Sequence, residues 1–241
     1  MAAAADSQAS KREPLTIVRP QKLTHRLQPY LDRLPIFPLY RVQLFPRALL
    51  PLYVFEPRYR ELTAHCLKRG GTMAVASLLP GFREDYYGRP PIRKTAGVGR
   101  IVAHRQNADG TYNILLCGMA RIRITSELPT EASFREVTAR QLFDCFPRGY
   151  DAGEGERTLL ALVQKLSALL PQGGSALLGL TKMARTAGEL TDVLSAALLS
   201  DPRMRTRMLH TVDVSLRVDL LSASLMRLIS DLQQTPPSSR N

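Results

Sequence analysis

The sequence lacks several features that would assign it to a class at once. It contains no tryptophan, and none of its apolar runs reaches the roughly 18 residues that a transmembrane helix needs. Its first residues do not combine a basic start with an apolar stretch, so they do not predict a secretory signal. These absences exclude a membrane-spanning or secreted class and favour a globular protein in the cytoplasm.

Cysteine and histidine are too few and too scattered to predict a metal site. The three cysteines, Cys66, Cys117 and Cys145, lie far apart in apolar surroundings, a pattern typical of small buried hydrophobic residues. The four histidines show no H-x-x-H or H-E-x-x-H spacing, and no cysteine lies at ligand spacing from any of them. We therefore expect no disulfide framework, no bound metal and no cofactor.

Motifs of nucleotide-dependent and nucleophilic enzymes are also missing. The phosphate-loop pattern G-x-x-x-x-G-K-(S/T) does not occur. Gly97-Val98-Gly99 leads into a strand rather than a helix, which indicates a turn or a bulge. Ser175 has no strand before it, so it does not resemble a nucleophile elbow, and we expect it to cap the next helix. On these grounds we expect that the protein is not an enzyme.

Positive charge is concentrated in the first part of the chain. The formal net charge is +12, and residues 1–145 hold 22 Lys+Arg against 12 Asp+Glu, a local net charge of +10. Such a field attracts polyanions or acidic protein surfaces without distinguishing between them. The charge alone therefore does not decide between a nucleic acid and a protein as the partner.

The pattern of the first half predicts a β structure. Residues 1–33 are polar and irregular and predict a flexible arm. From Leu34 the chain consists of short apolar runs broken by proline and glycine. Asp109-Gly110 favours a two-residue type I′ hairpin, which pairs Ala103 with Leu116. A small closed or nearly closed β structure is expected, with strands in the runs at 34–37, 48–55, 72–79, 96–106, 111–125 and 135–143.

One helix interrupts this β region, and it begins in the hexapeptide FEPRYR at 55–60. Pro57 suits the first helical position, where its missing N–H costs nothing, and Tyr59 starts an apolar stripe at helical spacing. Glu56 can accept the free backbone N–H groups of the helix N-terminus. We therefore interpret the burst of charge as a structural joint rather than a catalytic centre.

Beyond 151–153 the apolar period becomes helical. Three amphipathic stripes cover 159–170, 190–198 and 216–232, and Asp213 is the expected N-cap of the last helix. Residues 153–234 therefore predict an all-α helical bundle with short connections. A disordered tail is expected over 235–241.

The loop from Pro80 to Lys94 is the candidate binding site. It is long for a connection between strands, and long ordered loops are often functional. Paired tyrosines among arginines can stack on bases or hold a peptide, and a mobile loop without a partner is the alternative. The candidate residues are Phe82, Arg83, Tyr86, Tyr87, Arg89 and Arg93.

Together these motifs resemble the Lon substrate-binding domain, which is the N-terminal domain of Lon proteases. The hexapeptide contributes Phe55, Glu56, Pro57, Arg58 and Tyr59 to this family motif. The resemblance extends over about residues 33–234 and rests on LPIFPL at 34–39, LFP at 44–46, LPL at 50–52, VGRIV at 98–102, DGTYN at 109–113, GMARIRI at 118–124, ELTDVL at 189–194 and LHTVDV at 209–214.

The resemblance implies an α+β fold, with a PUA-like β pseudobarrel over 34–146 that contains one inserted helix and is followed by the helical bundle. In the proteases this unit captures unfolded or degron-bearing proteins for an ATPase and a Ser-Lys peptidase. Neither module precedes Asn241, so the chain resembles a stand-alone, non-catalytic member of the family. We expect it to recognise polypeptide segments or to work as an adaptor near a protease, with unfolded or degron-bearing polypeptides or a protease or adaptor as partners. The alternative is a module that binds RNA or other nucleic acid through the basic PUA-like half.

Overall fold

The computed structural model describes residues 16–17 and 27–234 of the chain. Seven strands are β1 (Thr16–Ile17), β2 (Leu34–Leu39), β3 (Leu49–Val54), β4 (Thr72–Ser77), β5 (Thr95–Gln106), β6 (Tyr112–Leu128) and β7 (Arg135–Leu142). Seven helices are α1 (Gln28–Leu31), α2 (Pro57–Lys68), α3 (Ala152–Leu169), α4 (Gly174–Thr181), α5 (Ala187–Leu198), α6 (Pro202–His210) and α7 (Val214–Gln234). The fold is α+β, as the sequence predicts, and among these helices none is long and apolar enough to cross a membrane.

Strand pairing closes the sheet on itself. The strand order is β1-β5-β4-β2-β7-β6-β3, and β5 also pairs with β6, so five strands form a ring and the predicted closed β structure is confirmed. Only the β2–β4 pair is parallel among these pairings. The two strands outside the ring are β1, which pairs with β5, and β3, which pairs with β6.

Two glycines of the barrel allow the backbone of Leu44 and Phe45 to cross the sheet at close range. A Cβ atom at Gly97 would lie 1.9 Å from the carbonyl oxygen of Leu44, and one at Gly118 would lie 1.9 Å from that of Phe45. The pairing of β5 with β6 also shifts register between Val98 and Gly99. The bulge predicted at Gly97-Val98-Gly99 is therefore confirmed, and close backbone approach explains the glycine.

The hairpin between β5 and β6 differs by one residue from the prediction. The N–H of Asn107 donates to the carbonyl of Thr111, and the N–H of Gly110 donates to the carbonyl of Asn107. Within this three-residue loop only Gly110 has a positive φ, of 79°. Ala103 consequently pairs with Leu115. The expected type I′ turn is wrong because Asp-Gly also suits a type I turn closed by a left-handed glycine.

The predicted arm and tail lie largely outside the described residues. Residues 235–241 and most of 1–33 are not described. Residues 27–33 differ from a loose arm, because they contain α1, and Leu27 and Leu31 are buried in the barrel cluster with Leu34. Burial of these two leucines is enough to hold the short helix against the sheet.

The second half contains five helices where three amphipathic stripes were predicted. The sequence of α4 is almost entirely apolar and shows no clear stripe, and α6 is amphipathic but too short for its stripe to be recognised. The N–H of Leu216 donates to the Asp213 carboxylate at 3.1 Å, which confirms the predicted cap of α7. Ser175 does not cap α4, because that helix already begins at Gly174 after a left-handed Gly173.

The connection between β2 and β3 joins the barrel to the bundle. Phe45 is fully buried in the core of the bundle, and the guanidinium of Arg205 lies 5.4 Å from the centre of its ring. Arg47, with a φ of 63°, donates from Nε to the carbonyl of Met183 at 2.9 Å. It also pairs with Glu189 at 3.3 Å. The two halves therefore share a core residue and a polar contact.

A buried ionic cluster forms the second joint between the halves. Arg121 of β6 donates to the Asp192 carboxylate of α5 at 2.7 Å and to the carbonyl of Leu209 at 3.1 Å. Arg217 of α7 donates to the same carboxylate at 2.8 Å and pairs with Asp144 at 2.6 Å. Arg121, Asp192 and Arg217 are all buried. The bundle thus packs directly on the barrel.

Candidate binding surface

The hexapeptide at 55–60 joins β3 to α2, as predicted, but Glu56 does not cap the helix. Pro57 is the first helical residue, and Glu56 occupies the N-cap position without accepting a backbone N–H through its side chain. Its Oε1 accepts the hydroxyl of Tyr86 at 2.5 Å, and its Oε2 accepts Nε of Arg58 at 3.2 Å. The expected cap is wrong because two side-chain donors occupy the carboxylate.

Arg58 holds the 80–94 loop at a second point. Its Nη1 donates to the carbonyl of Tyr86 at 2.9 Å, and its guanidinium lies 4.8 Å from the centre of the Tyr86 ring. Burial, followed by the hydrogen bond to Glu56, raises the pKa of Tyr86 above its ordinary value. The phenol therefore stays a protonated donor at neutral pH, and the joint and the loop form one unit.

The aromatic rings of the loop form a chain that ends in solvent. Ring centres are 4.8 Å apart for Tyr40 and Phe82, 6.1 Å for Phe82 and Tyr86, and 5.2 Å for Tyr86 and Tyr87. Phe82 and Tyr86 are half-buried, whereas Tyr87 is 88% exposed. Phe82 and Tyr86 support the loop, and Tyr87 is the most exposed of these four rings.

The six residues predicted for this loop do not form one site. Arg83 and Arg89 are exposed, as is Tyr87, and the N–H of Arg89 is held by the Asp85 carboxylate at 3.1 Å. Arg93 lies apart: its charge, after burial, contributes to the lowered pKa of His210 in α6. The structure thus leaves Tyr87, Arg83 and Arg89 exposed on the loop and places Arg93 near α6. Their binding role stays a prediction.

Sequence reasoning missed the exposed side of β3. Leu49, Tyr53 and Phe55 are 54%, 56% and 59% exposed, and Pro51 is also exposed, so every second residue faces solvent. We call Leu49, Pro51, Tyr53 and Phe55 the β3 row. The strand is apolar on both faces, which is typical of a fully buried strand. That pattern hid the row, because the alternation between exposed and inward residues appears only in the structure.

The β3 row runs from the bundle to the loop. At one end Leu49 follows Arg47, which contacts the half-exposed Met183 of the bundle. At the other end the rings of Tyr53 and Phe55 lie 6.0 Å apart, and Phe55 precedes Glu56, the partner of Tyr86. A shallow groove of about 440 Å³ accompanies the strand and is lined by Pro51, Leu52, Tyr53, Arg105, Asn113, Ile114 and Leu115.

The cysteines occupy three different environments. Cys66 is buried, as predicted, and burial raises the pKa of its thiol to about 12. Cys117 is partly buried. Cys145 is exposed, contrary to the prediction, because it lies in the link to the bundle and pairs there through its backbone with Asp213. Within residues 16–17 and 27–234 no cluster of His, Cys, Asp and Glu is placed to hold a metal ion.

Comparisons with known proteins relate this fold to one family. Residues 33–227 match the family model for the substrate-binding domain of the ATP-dependent protease La (Lon). A Lon protease of Desulfosudis oleivorans is 22% identical over 198 residues, which cover 80% of this chain and 24% of that protein. The chain therefore spans about a quarter of the length of this curated relative.

Two solved structures resemble the chain over most of its length. The N-terminal domain of the Mycobacterium avium complex Lon protease superposes with a TM-score of 0.58 at 17% identity, covering 83% of this chain and 98% of that one. A Lon N-terminal domain protein from Xanthomonas campestris superposes with a TM-score of 0.56 at 25% identity, covering 79% and 97%.

Proposed function

Because the chain belongs to the Lon substrate-binding domain family, we propose that it is a binding module that holds unfolded or degron-bearing polypeptide segments. The observation that carries this proposal is the β3 row, a line of exposed side chains on a fold of this family. Exposed apolar surface of this kind marks interaction sites on soluble proteins. Tyr87, at the loop end of the row, adds an exposed aromatic anchor of the type that dominates interface energies.

The proposed role is binding without catalysis, with the chain presenting polypeptides to a protease as an adaptor. The family match supports it, because the matched region is described as a substrate-binding domain.

Nucleic acid is the rival partner because of the basic first half. Several arginines of that half are committed inside the fold: Arg121 is buried against Asp192, and Arg135 is buried against Glu127. Arg58 is held between Glu56 and Tyr86. These guanidinium groups cannot also contact phosphates, so we retain polypeptide as the proposal and nucleic acid as an outcome of its test.

The test compares three fluorescent probes by anisotropy: a reduced, carboxymethylated protein that cannot fold, the same protein in its native state, and a single-stranded RNA. We expect the unfolded protein to bind, the native protein to bind far more weakly, and the unfolded complex to persist between about 50 mM and 200 mM salt because apolar contacts are little screened. RNA binding that falls steeply over that range, without binding of the unfolded protein, would replace the proposal with its rival.

The adaptor role needs a test in cells. Crosslinking followed by identification of the captured proteins is expected to recover polypeptides together with a protease. Recovery of polypeptides without any protease would contradict the adaptor role and leave the binding role standing.

A further inference from the structure

We propose that the bound polypeptide adds to the free edge of β3 as an antiparallel strand, and that acidic groups follow its apolar residues. This inference rests on the proposed function, since it specifies how the segment binds and which segments bind best. Three features support strand addition: the open edge of β3, the β3 row, and the charges at the two ends of the row.

One edge of β3 is open to another strand. Among the described residues β3 pairs with β6 alone. The N–H of Gly118 in β6 donates to the carbonyl of Ala48 at 2.9 Å. In an antiparallel ladder the backbone groups of alternate residues point to opposite edges. Leu50 and Leu52 therefore face β6, and Leu49, Pro51 and Tyr53 present their backbone groups to the open edge.

Pro51 lies where its missing N–H is not needed for the β3–β6 ladder. Proline is tolerated on edge strands when its nitrogen faces outward. The open edge retains the N–H and carbonyl groups of Leu49 and Tyr53 and the carbonyl of Pro51. A proline in the middle of an edge also disfavours indiscriminate pairing between edges. The edge thus suits a guest strand that gives up one hydrogen bond there.

The outward residues present side chains as well as backbone. Leu49, Pro51, Tyr53 and Phe55 all lie on the exposed face, so an added strand would place its own alternate side chains beside them. The groove of about 440 Å³, lined by Pro51, Leu52 and Tyr53 of β3 and by residues of β5 and β6, offers space to apolar side chains of the guest that reach over β3. An extended segment with apolar residues at every second position matches both features.

The charges at the two ends of β3 select the direction of the guest. At the Leu49 end, Met183 is flanked by the exposed cations Lys182 and Arg185. The Glu189 carboxylate nearby is already paired with Arg47, which leaves a net positive charge at this end. At the Phe55 end, the exposed charges of the loop are mixed, with Glu84 and Asp85 among its arginines. An antiparallel guest has its C-terminal end beside Leu49. Acidic residues or a free α-carboxylate placed after the apolar residues would therefore meet the basic end.

The first experiment isolates the backbone contribution. Tyr53→Ala and Tyr53→Pro both remove the ring, but only the proline variant removes the outward N–H. For a fluorescent peptide of alternating valine and threonine that ends in two aspartates, we expect Tyr53→Pro to bind about threefold to tenfold more weakly than Tyr53→Ala, as one lost backbone hydrogen bond predicts. Met226→Ala, which truncates a similarly exposed side chain on α7, is the control and is expected to bind like the wild type. Melting curves establish that each variant is folded.

The second experiment tests direction. The same peptide is compared with one in which the two aspartates precede the apolar residues. The first is expected to bind about fivefold more tightly at low salt, because two exposed charge pairs each contribute a fraction of a kcal/mol. The double variant Lys182→Glu, Arg185→Glu is expected to remove or reverse this preference.

The outcomes separate the two proposals. If the wild type binds neither the peptides nor the unfolded protein, the proposed function fails and strand addition fails with it. If both bind, but Tyr53→Pro equals Tyr53→Ala and the position of the aspartates has no effect, strand addition is wrong and the proposed function stands. A preference for the peptide with leading aspartates would overturn the antiparallel orientation.

Discussion

At the scale of single residues, Glu56 shows what the local sequence predicts and what it leaves out. Its place between an apolar run and Pro57 correctly indicates a joint between β3 and α2. Its partner is not visible locally, because the Tyr86 hydroxyl that it accepts lies 30 positions away. The same distance explains why the loop and the joint were predicted as separate features, although they are one structural unit.

Replacing Glu56 with alanine is expected to lower the free energy of unfolding by about 1–2 kcal/mol, because the half-buried donors of Tyr86 and Arg58 then lose their acceptor. The same change should accelerate hydrogen exchange in the 80–94 loop. Glu56→Gln, which keeps an acceptor oxygen, is the control and should recover part of the loss. A melting curve and a loop exchange rate that both match the wild type would refute this account of Glu56.

The buried thiol of Cys66 is expected to make the free energy of unfolding fall at alkaline pH. Burial raises the pKa of its thiol from 9.0 to about 12 in the folded state. Above pH 9 the unfolded chain releases this proton and the folded chain keeps it, so the folded state binds more protons and the free energy of unfolding falls as pH rises. The contribution is complete below pH 9 and is lost progressively up to about pH 12.

The measurement is a series of urea titrations between pH 8 and about 9.7, below the ordinary pKa of tyrosine. Cys66→Ala is expected to show a shallower decline in the free energy of unfolding than the wild type, and Cys145→Ala, at an exposed thiol, an unchanged decline. Equal slopes in all three proteins would contradict the burial of Cys66.

At the scale of elements, prediction succeeds where a pattern is both local and long. All six predicted strands are present, and most of them are apolar runs that lie close to proline or glycine. The register of the β5–β6 hairpin was wrong by one residue, because the same Asp-Gly pair fits two loop lengths. The helices α4 and α6 were missed, since nine residues or fewer give too short a period to detect.

Gly118 is expected to tolerate no side chain at the crossing of the barrel by the 44–45 segment. The Cβ of Gly118→Ala would lie 1.9 Å from the backbone oxygen of Phe45, which cannot move freely because the Phe45 side chain is buried in the core of the bundle. We expect a loss of about 2 kcal/mol or more in the free energy of unfolding, measured by urea titration, as for other overpacked sites. Gly179→Ala in α4 is the matched control: its Cβ meets nothing within 4 Å, and it should gain up to about 1 kcal/mol. A neutral Gly118→Ala would contradict the close crossing.

At the scale of the whole molecule, the packing of the bundle on the barrel lay beyond sequence reasoning. Arg121 and Asp192 are 71 positions apart, and each alone looks like an ordinary surface charge. Composition indicated a basic half, but not that some of its arginines are buried between the two halves. The candidate loop could be predicted from its length and its aromatic residues, whereas the β3 row depended on knowing which strand lies at the edge of the sheet.

Removal of Asp192 tests the joint between the halves. Asp192→Ala leaves two buried arginines without their shared carboxylate, and we expect it to lower the free energy of unfolding by about 3–5 kcal/mol. Asp192→Asn should lose less, since the amide oxygen still accepts. Arg157→Ala, which breaks an exposed pair with Asp151, is the control and should change stability by about 0.5 kcal/mol or less. Urea titration measures all three, and a small effect at Asp192 would show that the joint is not made there.

The position of Phe45 restricts how the gene for such a protein can recombine. Its ring fills the core of the bundle although its codon lies among those of the barrel. A gene fragment that encoded the helices alone would yield a bundle with a space in its centre, and one that encoded the strands alone would leave the ring in water. Recombination is therefore expected to exchange the two halves together, which fits a family match that runs without division from residue 33 to residue 227.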